Sequence, residues 1–206
     1  MAAGPAAPLP RLFEKQSVKR SASFPPLRHA ERAKSTKFVV RRSPLGARRG
    51  ILQAGTMRLP CVLGRGGTSI FKREGDGATP VASMALLFAY RRAAGTVRVV
   101  PPMPWRFSRK DDGWCDAPLH AAYNRPVRLP FSQSAETMQR ADRLYDLVVV
   151  LDWNIVSRRR GAGSAIFLHV AKKGYPPTAG CVAVNPHDMR RLVPFLRTGT
   201  RLVVHR

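Results

Sequence analysis

The chain has 206 residues, 44% of them hydrophobic, a composition that suits one folded domain with an appendage and excludes wholesale disorder. No stretch reaches the roughly 18 consecutive apolar residues of a membrane span, so no integral membrane segment is expected. Its 36 Lys and Arg against 12 Asp and Glu give a net charge of +24. Unless this excess is general surface chemistry, it indicates a polyanionic partner: nucleic acid, an anionic lipid surface or an acidic cell-wall polymer. No zinc-finger spacing, RNA-binding strand signature or helix-turn-helix pattern accompanies the charge, so no obligatory nucleic-acid partner is expected.

Residues 1–37 are predicted to be a disordered basic arm. Ala, Pro, Ser and basic residues dominate this segment, and it shows no periodic apolar face. Its composition resembles that of an Arg-rich, acid-poor transit sequence, but it lacks the continuous apolar region of a recognisable secretory signal. The remaining residues, 38–206, are expected to form one domain.

Short apolar runs separated by Gly, Pro and charged turns predict a mainly β fold over 38–206, a β-sandwich or barrel with one or two short helices. Two long stretches rich in Pro, Arg and Gly, 101–132 and 153–163, are predicted to be loops, where binding residues tend to lie. The predicted strands are 38–42, 50–54, 57–63, 83–90, 96–100, 143–152, 164–170, 180–184 and 200–205.

One helix is clearly indicated, and it follows Asn185. Asn185 is a favourable N-cap, Pro186 suits the first helical position, and Asp188 places a carboxylate in the first turn. Met189, Leu192 and Val193 form its apolar face, and Pro194 ends or kinks it.

The three cysteines are Cys61, Cys115 and Cys181. An odd number without a C-x-x-C pair disfavours a disulfide framework or a structural zinc site, so at least one thiol is expected to be free. Cys115 lies near Asp116 and His120, but their spacing fits no zinc pattern, and neither a metal nor a cofactor is expected.

His169 and Cys181 are the candidate reactive pair. His169 lies on a predicted strand whose alternation places Ile166, Leu168 and Val170 on one face and the imidazole on the other. Cys181 follows Gly180 at the start of the next strand. A thiol with an imidazole in reach can act as a nucleophile, since the imidazole takes the proton and later returns it to a leaving amine. Spacing alone favours a buried small cysteine and a core histidine over a reactive pair.

The run FLHVAKKGYPPTAGCVAV resembles the active-site segment of the L,D-transpeptidase (YkuD-like) family. The family pattern is a His on a strand, a variable loop, then Ser or Thr, any residue, Gly and the nucleophilic Cys. His169, Thr178, Gly180 and Cys181 occupy those places. The segments 72–80, 111–116, 123–131 and 144–154 extend the likeness to a bacterial branch of the family, over about residues 48–206.

The resemblance implies a catalytic domain in which Cys181 attacks the carbonyl that precedes the terminal D-Ala of a peptidoglycan stem peptide. His169 would be base toward the thiol and acid toward D-Ala, and the backbone N–H groups of Gly180 and Cys181 would form the oxyanion hole. Thr178 is expected to contribute to substrate binding. Five further candidates for lining the stem-peptide cleft are Trp153, Asn154, Tyr123, Asn124 and Arg125, for which turn and packing roles are the alternative.

Three positions depart from the family pattern. Ala179 stands where many members have His, and Ala183 stands where they have Arg or Asn, so Arg125, Arg128 or Arg158 would have to hold a substrate carboxylate instead. The family's TP-x-G turn has Ala82 in place of its glycine.

The predicted function is therefore peptidoglycan L,D-transpeptidation in the cell envelope or periplasm, which forms cross-links and supports cell-wall organisation and cell shape. The cationic surface would suit an anionic cell-wall polymer. An L,D-carboxypeptidase, in which water is the acceptor, is one alternative. The others are a non-catalytic basic protein on the same scaffold that binds wall polymer or nucleic acid, and a family member that has lost activity.

Overall fold

A computed structural model describes residues 37–44 and 46–206 of the chain, so all of the predicted arm except Lys37 lies outside the described residues. The fold is mainly β, as predicted. Its strands are β1 Lys37–Ser43, β2 Gly46–Ala54, β3 Met57–Val62, β4 Thr68–Ser69, β5 Thr79–Pro80, β6 Ser83–Arg91, β7 Trp105–Phe107, β8 Asp112–Cys115, β9 Arg125–Arg128, β10 Ala135–Thr137, β11 Leu147–Leu151, β12 Phe167–Val170, β13 Val182–Val184 and β14 Arg201–Val204.

The main sheet closes on itself. Its strand order is β11-β12-β13-β3-β2-β1-β14-β6-β7, and β11 also pairs with β6, so eight strands form a ring to which β7 is attached. Along each strand of this ring, side chains point alternately into and out of the barrel. The inward-facing ones are mainly Val and Leu, and they fill the interior. Phe38, Leu52, Leu86, Leu168 and Leu202 are among its fully or almost fully buried residues.

A second, smaller layer covers part of the barrel's outer face. It contains a three-stranded sheet in the order β10-β8-β9. Trp114 of β8 meets Phe167 of β12 edge to face, with ring centroids 5.3 Å apart. Cys181 belongs to this second core together with Tyr145 and Val148. The candidate nucleophile thus lies between the barrel and the small sheet.

The helix forms as predicted. Helix α1 spans Pro186–Leu192, and the side chain of Asn185 accepts a hydrogen bond from the Asp188 backbone N–H at 2.8 Å. Met189 and Leu192 are buried in the barrel core, and a short 3₁₀ helix, Val193–Phe195, follows. Among the described residues, no helix has the length and apolarity needed to cross a membrane.

Two predictions about the fold are wrong. Residues 96–100 form no strand, because the Thr96 N–H donates to the Asp146 carboxylate at 2.6 Å and Val99 and Val100 are exposed. The predicted loop at 101–132 contains β7, β8 and β9. These strands have three or four residues each and carry Pro, Gly or charged side chains, so they lack the apolar run on which the prediction relied. The loop at 153–163 is confirmed.

Candidate active site

Cys181 and His169 lie on one side of two neighbouring strands. β12 and β13 run parallel, with Leu168 opposite Val182 and His169 opposite Ala183. Cys181 therefore stands beside Phe167, which shares a strand face with His169. Both side chains line a cleft of about 560 Å³ between the barrel and the small sheet. Leu168 and Val170 on the opposite face of β12, and Ile166 just before it, pack into the barrel core as the alternation predicts.

The turn before Cys181 is tightly held. Gly180 has a φ of 140°, and a Cβ atom there would lie 3.0 Å from the carbonyl oxygen of Ala78, so a larger residue would be strained and crowded. The Thr178 hydroxyl accepts from the Gly180 N–H at 3.2 Å and donates to the Cys181 carbonyl at 2.7 Å. The Thr79 hydroxyl donates to the same carbonyl at 3.4 Å. Thr178 thus fixes the backbone that carries the thiol.

The Cys181 thiol is buried and neutral. Its Sγ accepts from the Phe167 N–H at 3.4 Å and donates to the Ala165 carbonyl at 3.3 Å. Burial raises the pKa of this thiol to about 12, and the negative charge of Glu136 adds to the rise. Desolvation dominates here because a thiolate without bulk water loses more hydration than the single weak hydrogen bond from the Phe167 N–H returns. Cys61 and Cys115 are also free and buried.

His169 is held as a neutral base. Its ring is only 4% exposed, and its Nδ1 lies 2.8 Å from the carbonyl oxygen of Val170. Since a carbonyl can only accept, Nδ1 carries the proton and the lone pair is on Nε2. Burial lowers the pKa of the imidazole to about 4, and the positive charge of Arg140 contributes. A neutral imidazole of this tautomer can accept a proton from a thiol.

A polar network beside His169 has no counterpart in the sequence predictions. The Tyr145 ring meets the imidazole edge to face, with centroids 5.3 Å apart, and its hydroxyl donates to Glu136 at 2.5 Å. Arg140 pairs with Glu136 at 3.2 Å and with Asp142 at 2.7 Å. Burial raises the pKa of Glu136. No spacing rule could have found this group, because its position around His169 is created by the fold.

The cleft carries charges of both signs. Its cationic lining residues are Arg65, Arg140 and Lys172, and its anionic ones are Glu74, Asp116, Glu136 and Asp142. Ala183, at the place where many family members have Arg or Asn, also lines the cleft. Arg65 and Arg140 are the arginines of this lining, whereas the predicted substitutes Arg125, Arg128 and Arg158 are not part of it.

Five predicted substrate-binding residues lie outside the cleft lining: Arg125 is the first residue of β9, and the other four are in loops. The Asn124 side chain accepts from Trp114 Nε1 at 3.0 Å and from the Ala165 N–H at 3.1 Å, and donates to the Trp153 carbonyl at 3.0 Å. Tyr123 donates to Glu74, and Arg125 donates to the Ile155 carbonyl at 2.7 Å.

Trp153 and Asn154 hold the 153–163 loop together. Trp153 Nε1 donates to the Ala162 carbonyl, and the Asn154 side chain bonds to Ser157, Arg159 and Gly163. The structure thus places all five in scaffolding positions, and substrate contact by them stays a prediction. Within the described part of the chain, no three His, Cys, Asp or Glu side chains are grouped as a metal site would need.

A family model described as the L,D-transpeptidase catalytic domain matches residues 47–204, most of the described chain. The chain belongs to this family. The match starts and ends within two residues of the span indicated by the motifs, and it includes Cys181 and His169. L,D-transpeptidase domains belong to enzymes of the bacterial cell wall that act on peptidoglycan.

Among solved structures, L,D-transpeptidase 1 of Mycobacterium tuberculosis is similar at 12% sequence identity and a TM-score of 0.37. The match covers 82% of this chain and 62% of that one, so the chain spans less than two thirds of that protein's length. No curated protein matches the sequence.

Proposed function

We propose that the chain is a cysteine acyltransferase of the cell envelope that acts on peptidoglycan stem peptides. The supporting observation is that Cys181 and His169 line the same cleft and that the imidazole, protonated on Nδ1, has Nε2 free to accept a proton. At rest the thiol donates to the Ala165 carbonyl, so it would have to turn toward His169 to react. The family match supplies the substrate class. The net charge of +24 would concentrate an anionic wall polymer around the protein.

In the first half-reaction, the Cys181 thiol passes its proton to His169 Nε2 as the sulfur attacks the carbonyl carbon that precedes the terminal D-Ala. The carbonyl oxygen takes the electron pair, and backbone N–H groups stabilise it. When this intermediate collapses, the C–N bond breaks, and His169 returns the proton to the D-Ala amine. A thioester on Cys181 remains.

In the second half-reaction, an amine attacks the thioester carbon, His169 takes its proton, and the thiol is restored as an amide bond forms. With water as the nucleophile, the same steps give a carboxypeptidase. The Gly180 N–H donates to Thr178 in the resting structure, so Gly180 would have to release that hydroxyl to serve the oxyanion. The Cys181 N–H, one residue on, is the second predicted donor.

The thiol pKa of about 12 favours a second candidate, a wall-binding family member without catalysis. A thiol so seldom ionised is a poor nucleophile unless the imidazole removes its proton in the complex. Ala183, in place of the usual Arg or Asn, also favours a family member without catalysis. On this alternative the basic surface would bind wall polymer or nucleic acid, and no acyl-enzyme would form.

Intact-mass spectrometry after incubation with a carbapenem, whose strained carbonyl acylates a competent thiolate, separates the two candidates. We expect a stable adduct on the parent protein, no adduct on Cys181→Ala, and an adduct formed at least a hundredfold more slowly on His169→Gln. Cys61→Ala is the matched control and should react like the parent. Circular dichroism verifies that each variant is folded. A folded parent that forms no adduct would contradict the acyltransferase and leave the binding protein.

A further inference from the structure

Two loops behind the active cleft expose large apolar side chains. Leu119, in the loop that precedes β9, is 81% exposed, and Val156, in the loop after β11, is 91% exposed. Single exposed apolar residues are common on protein surfaces and need no explanation. These two are on adjoining loops, and their surroundings are strongly basic.

The two loops form one surface. The Arg158 guanidinium donates to the Ala121 carbonyl at 3.3 Å, and a shallow groove is lined by Pro118 and His120 from one loop and by Val156 and Arg160 from the other. Hydrogen bonds from Asn154 and Arg125 fix the loop that carries Val156. The His120 N–H donates to the Ala117 carbonyl at 3.1 Å and closes a turn around Leu119, so both exposed apolar residues are on backbone held by hydrogen bonds. We call Leu119, Val156, Arg158, Arg159 and Arg160 the basic loop surface.

The basic loop surface itself contains only positive charges, although the Glu74 carboxylate bonds to Tyr123 and Ser164 of the same loops. Arg158, Arg159 and Arg160 are consecutive and exposed. The sequence contains no Asp or Glu between residues 117 and 131 or between 153 and 173. A surface of this composition repels cations and attracts polyanions, and its arginines are well suited to phosphate groups.

The exposed apolar side chains of Leu119 and Val156 distinguish between the possible polyanionic partners. A hydrated wall polymer or a nucleic-acid backbone would be bound by the arginines alone, and neither would remove Leu119 or Val156 from water. An anionic bilayer offers both phosphate groups and an apolar phase directly beneath them, which is the arrangement that interfacial segments use. We propose that the basic loop surface docks onto an anionic phospholipid bilayer, with Leu119 and Val156 inserted among the acyl chains.

Vesicle co-sedimentation tests this proposal without any turnover, so its outcome is independent of the acyltransferase. We expect the full chain to bind vesicles of phosphatidylglycerol mixed with phosphatidylcholine and not vesicles of phosphatidylcholine alone. Replacing Arg158, Arg159 and Arg160 by Gln should weaken binding about a hundredfold, since each basic residue near an anionic surface contributes roughly fivefold. The matched control replaces three exposed arginines of the β1–β2 hairpin, Arg41, Arg42 and Arg48, by Gln and should retain most of the binding.

Insertion of Leu119 and Val156 into the bilayer can be tested separately from the binding of the arginines. Leu119→Ser with Val156→Ser should weaken binding to the anionic vesicles about tenfold or more, whereas Val100→Ser, at another exposed valine, should not. In Val156→Trp, indole fluorescence should shift to shorter wavelength with these vesicles, and Val100→Trp should show no such shift. Equal losses in the two arginine triples would overturn the proposal, because binding would then follow net charge. Full binding by the serine double variant would overturn it as well and leave a site for a hydrated polyanion.

Discussion

At the scale of single residues, burial sets the protonation state of the site. The Cys181 thiol and the His169 imidazole are 7% and 4% exposed, and each has its pKa moved in the direction that keeps it neutral. A thiolate–imidazolium pair is thus absent at rest, since proton transfer within the folded cleft would have to create two poorly hydrated charges. We expect substrate binding to supply the missing stabilisation when the oxyanion forms.

Glu136 gives a test of this electrostatic control. Its carboxylate raises the pKa of the Cys181 thiol, so Glu136→Gln should lower that pKa while burial keeps it above the ordinary value. Alkylation of Cys181 by iodoacetamide, measured by peptide mass mapping at mildly alkaline pH, should become severalfold faster because more thiolate is present. The control is Glu74→Gln, a carboxylate of the same cleft that binds Tyr123 and Ser164. Equal alkylation rates in Glu136→Gln and the parent would show that Glu136 does not act on the thiol.

His169 makes stability depend on pH. Because burial lowers its pKa to about 4 from an ordinary 6.5, the unfolded chain binds a proton between these values that the folded chain does not. The contribution of neutral His169 is complete above about pH 6.5 and is lost as the pH falls toward 4, at a cost of about 3 kcal/mol in the free energy of unfolding.

The comparison with His169→Gln isolates this contribution. Urea unfolding followed by tryptophan fluorescence should show a steeper loss of stability for the parent than for the variant between about pH 6.5 and 4. Above that window the two curves should run parallel. Identical slopes inside the window would mean that the imidazole is hydrated and titrates normally.

At the scale of elements, the sequence predicts the strands that contain long apolar runs. It misses the short strands that form only because they pair with other strands. The run 143–152 contains β11, whose five consecutive Val and Leu residues are all buried, as in a strand with both faces covered. The apolar run 83–90 covers all of β6 except Arg91. β8 has the sequence DGWC, and its pairing depends on β9 and β10, which come later in the chain. Such strands exist only because neighbours complete their ladders, and no local pattern contains that information.

Asn124 links the small sheet to Cys181, the candidate nucleophile. Its Oδ1 holds the Ala165 N–H, and the Ala165 carbonyl accepts from the Cys181 thiol. Asn124→Ala should lower the free energy of unfolding by about 3 kcal/mol, since it leaves the Trp114 indole N–H and two backbone groups without a partner. Carbapenem adduct formation should slow in the same variant, because the segment beside the thiol is released.

Backbone strain is the competing explanation for such a loss, because Asn124 has a φ of 55°. Asn124→Gly removes the amide without that strain and should lose most of the same stability. The difference in the free energy of unfolding between Asn124→Ala and Asn124→Gly then measures the strain. If the Gly variant were as stable as the parent, the hydrogen bonds of Asn124 would contribute little.

At the scale of the whole molecule, the sequence predicts the candidate reactive pair, Cys181 and His169, but not the residues that surround it. His169 and Cys181 are close in the chain and follow a known motif; His169 lies on β12, and Cys181 immediately precedes the neighbouring strand β13. Glu136, Arg140 and Tyr145 reach His169 only through the docking of the small sheet on the barrel. The cationic cleft residues Arg65 and Lys172 come from segments outside the small sheet. For this reason the sequence analysis predicted other arginines as the ligands of a substrate carboxylate.

The net charge of +24 predicts that salt will slow the reaction with anionic acyl donors. The screening length is about 30 Å at 0.01 M salt and about 8 Å at 0.15 M, so a field summed over the whole surface is strong at the lower concentration and weak at the higher. The second-order rate of acylation by a carbapenem, which carries a carboxylate, should fall about tenfold between them. Alkylation of Cys181 by neutral iodoacetamide should be nearly unchanged.

The two arginine triples show whether this steering belongs to the whole molecule. Each removes three positive charges, one from residues 158–160 and the other from positions 41, 42 and 48 of the β1–β2 hairpin. Because a long-range field sums over all charges, both triples should reduce the salt dependence of carbapenem acylation by similar small amounts. Vesicle binding should instead respond mainly to the first triple, since docking depends on contact. If only residues 158–160 altered the acylation rate, they would guide the acyl donor locally, and the global field would not account for steering.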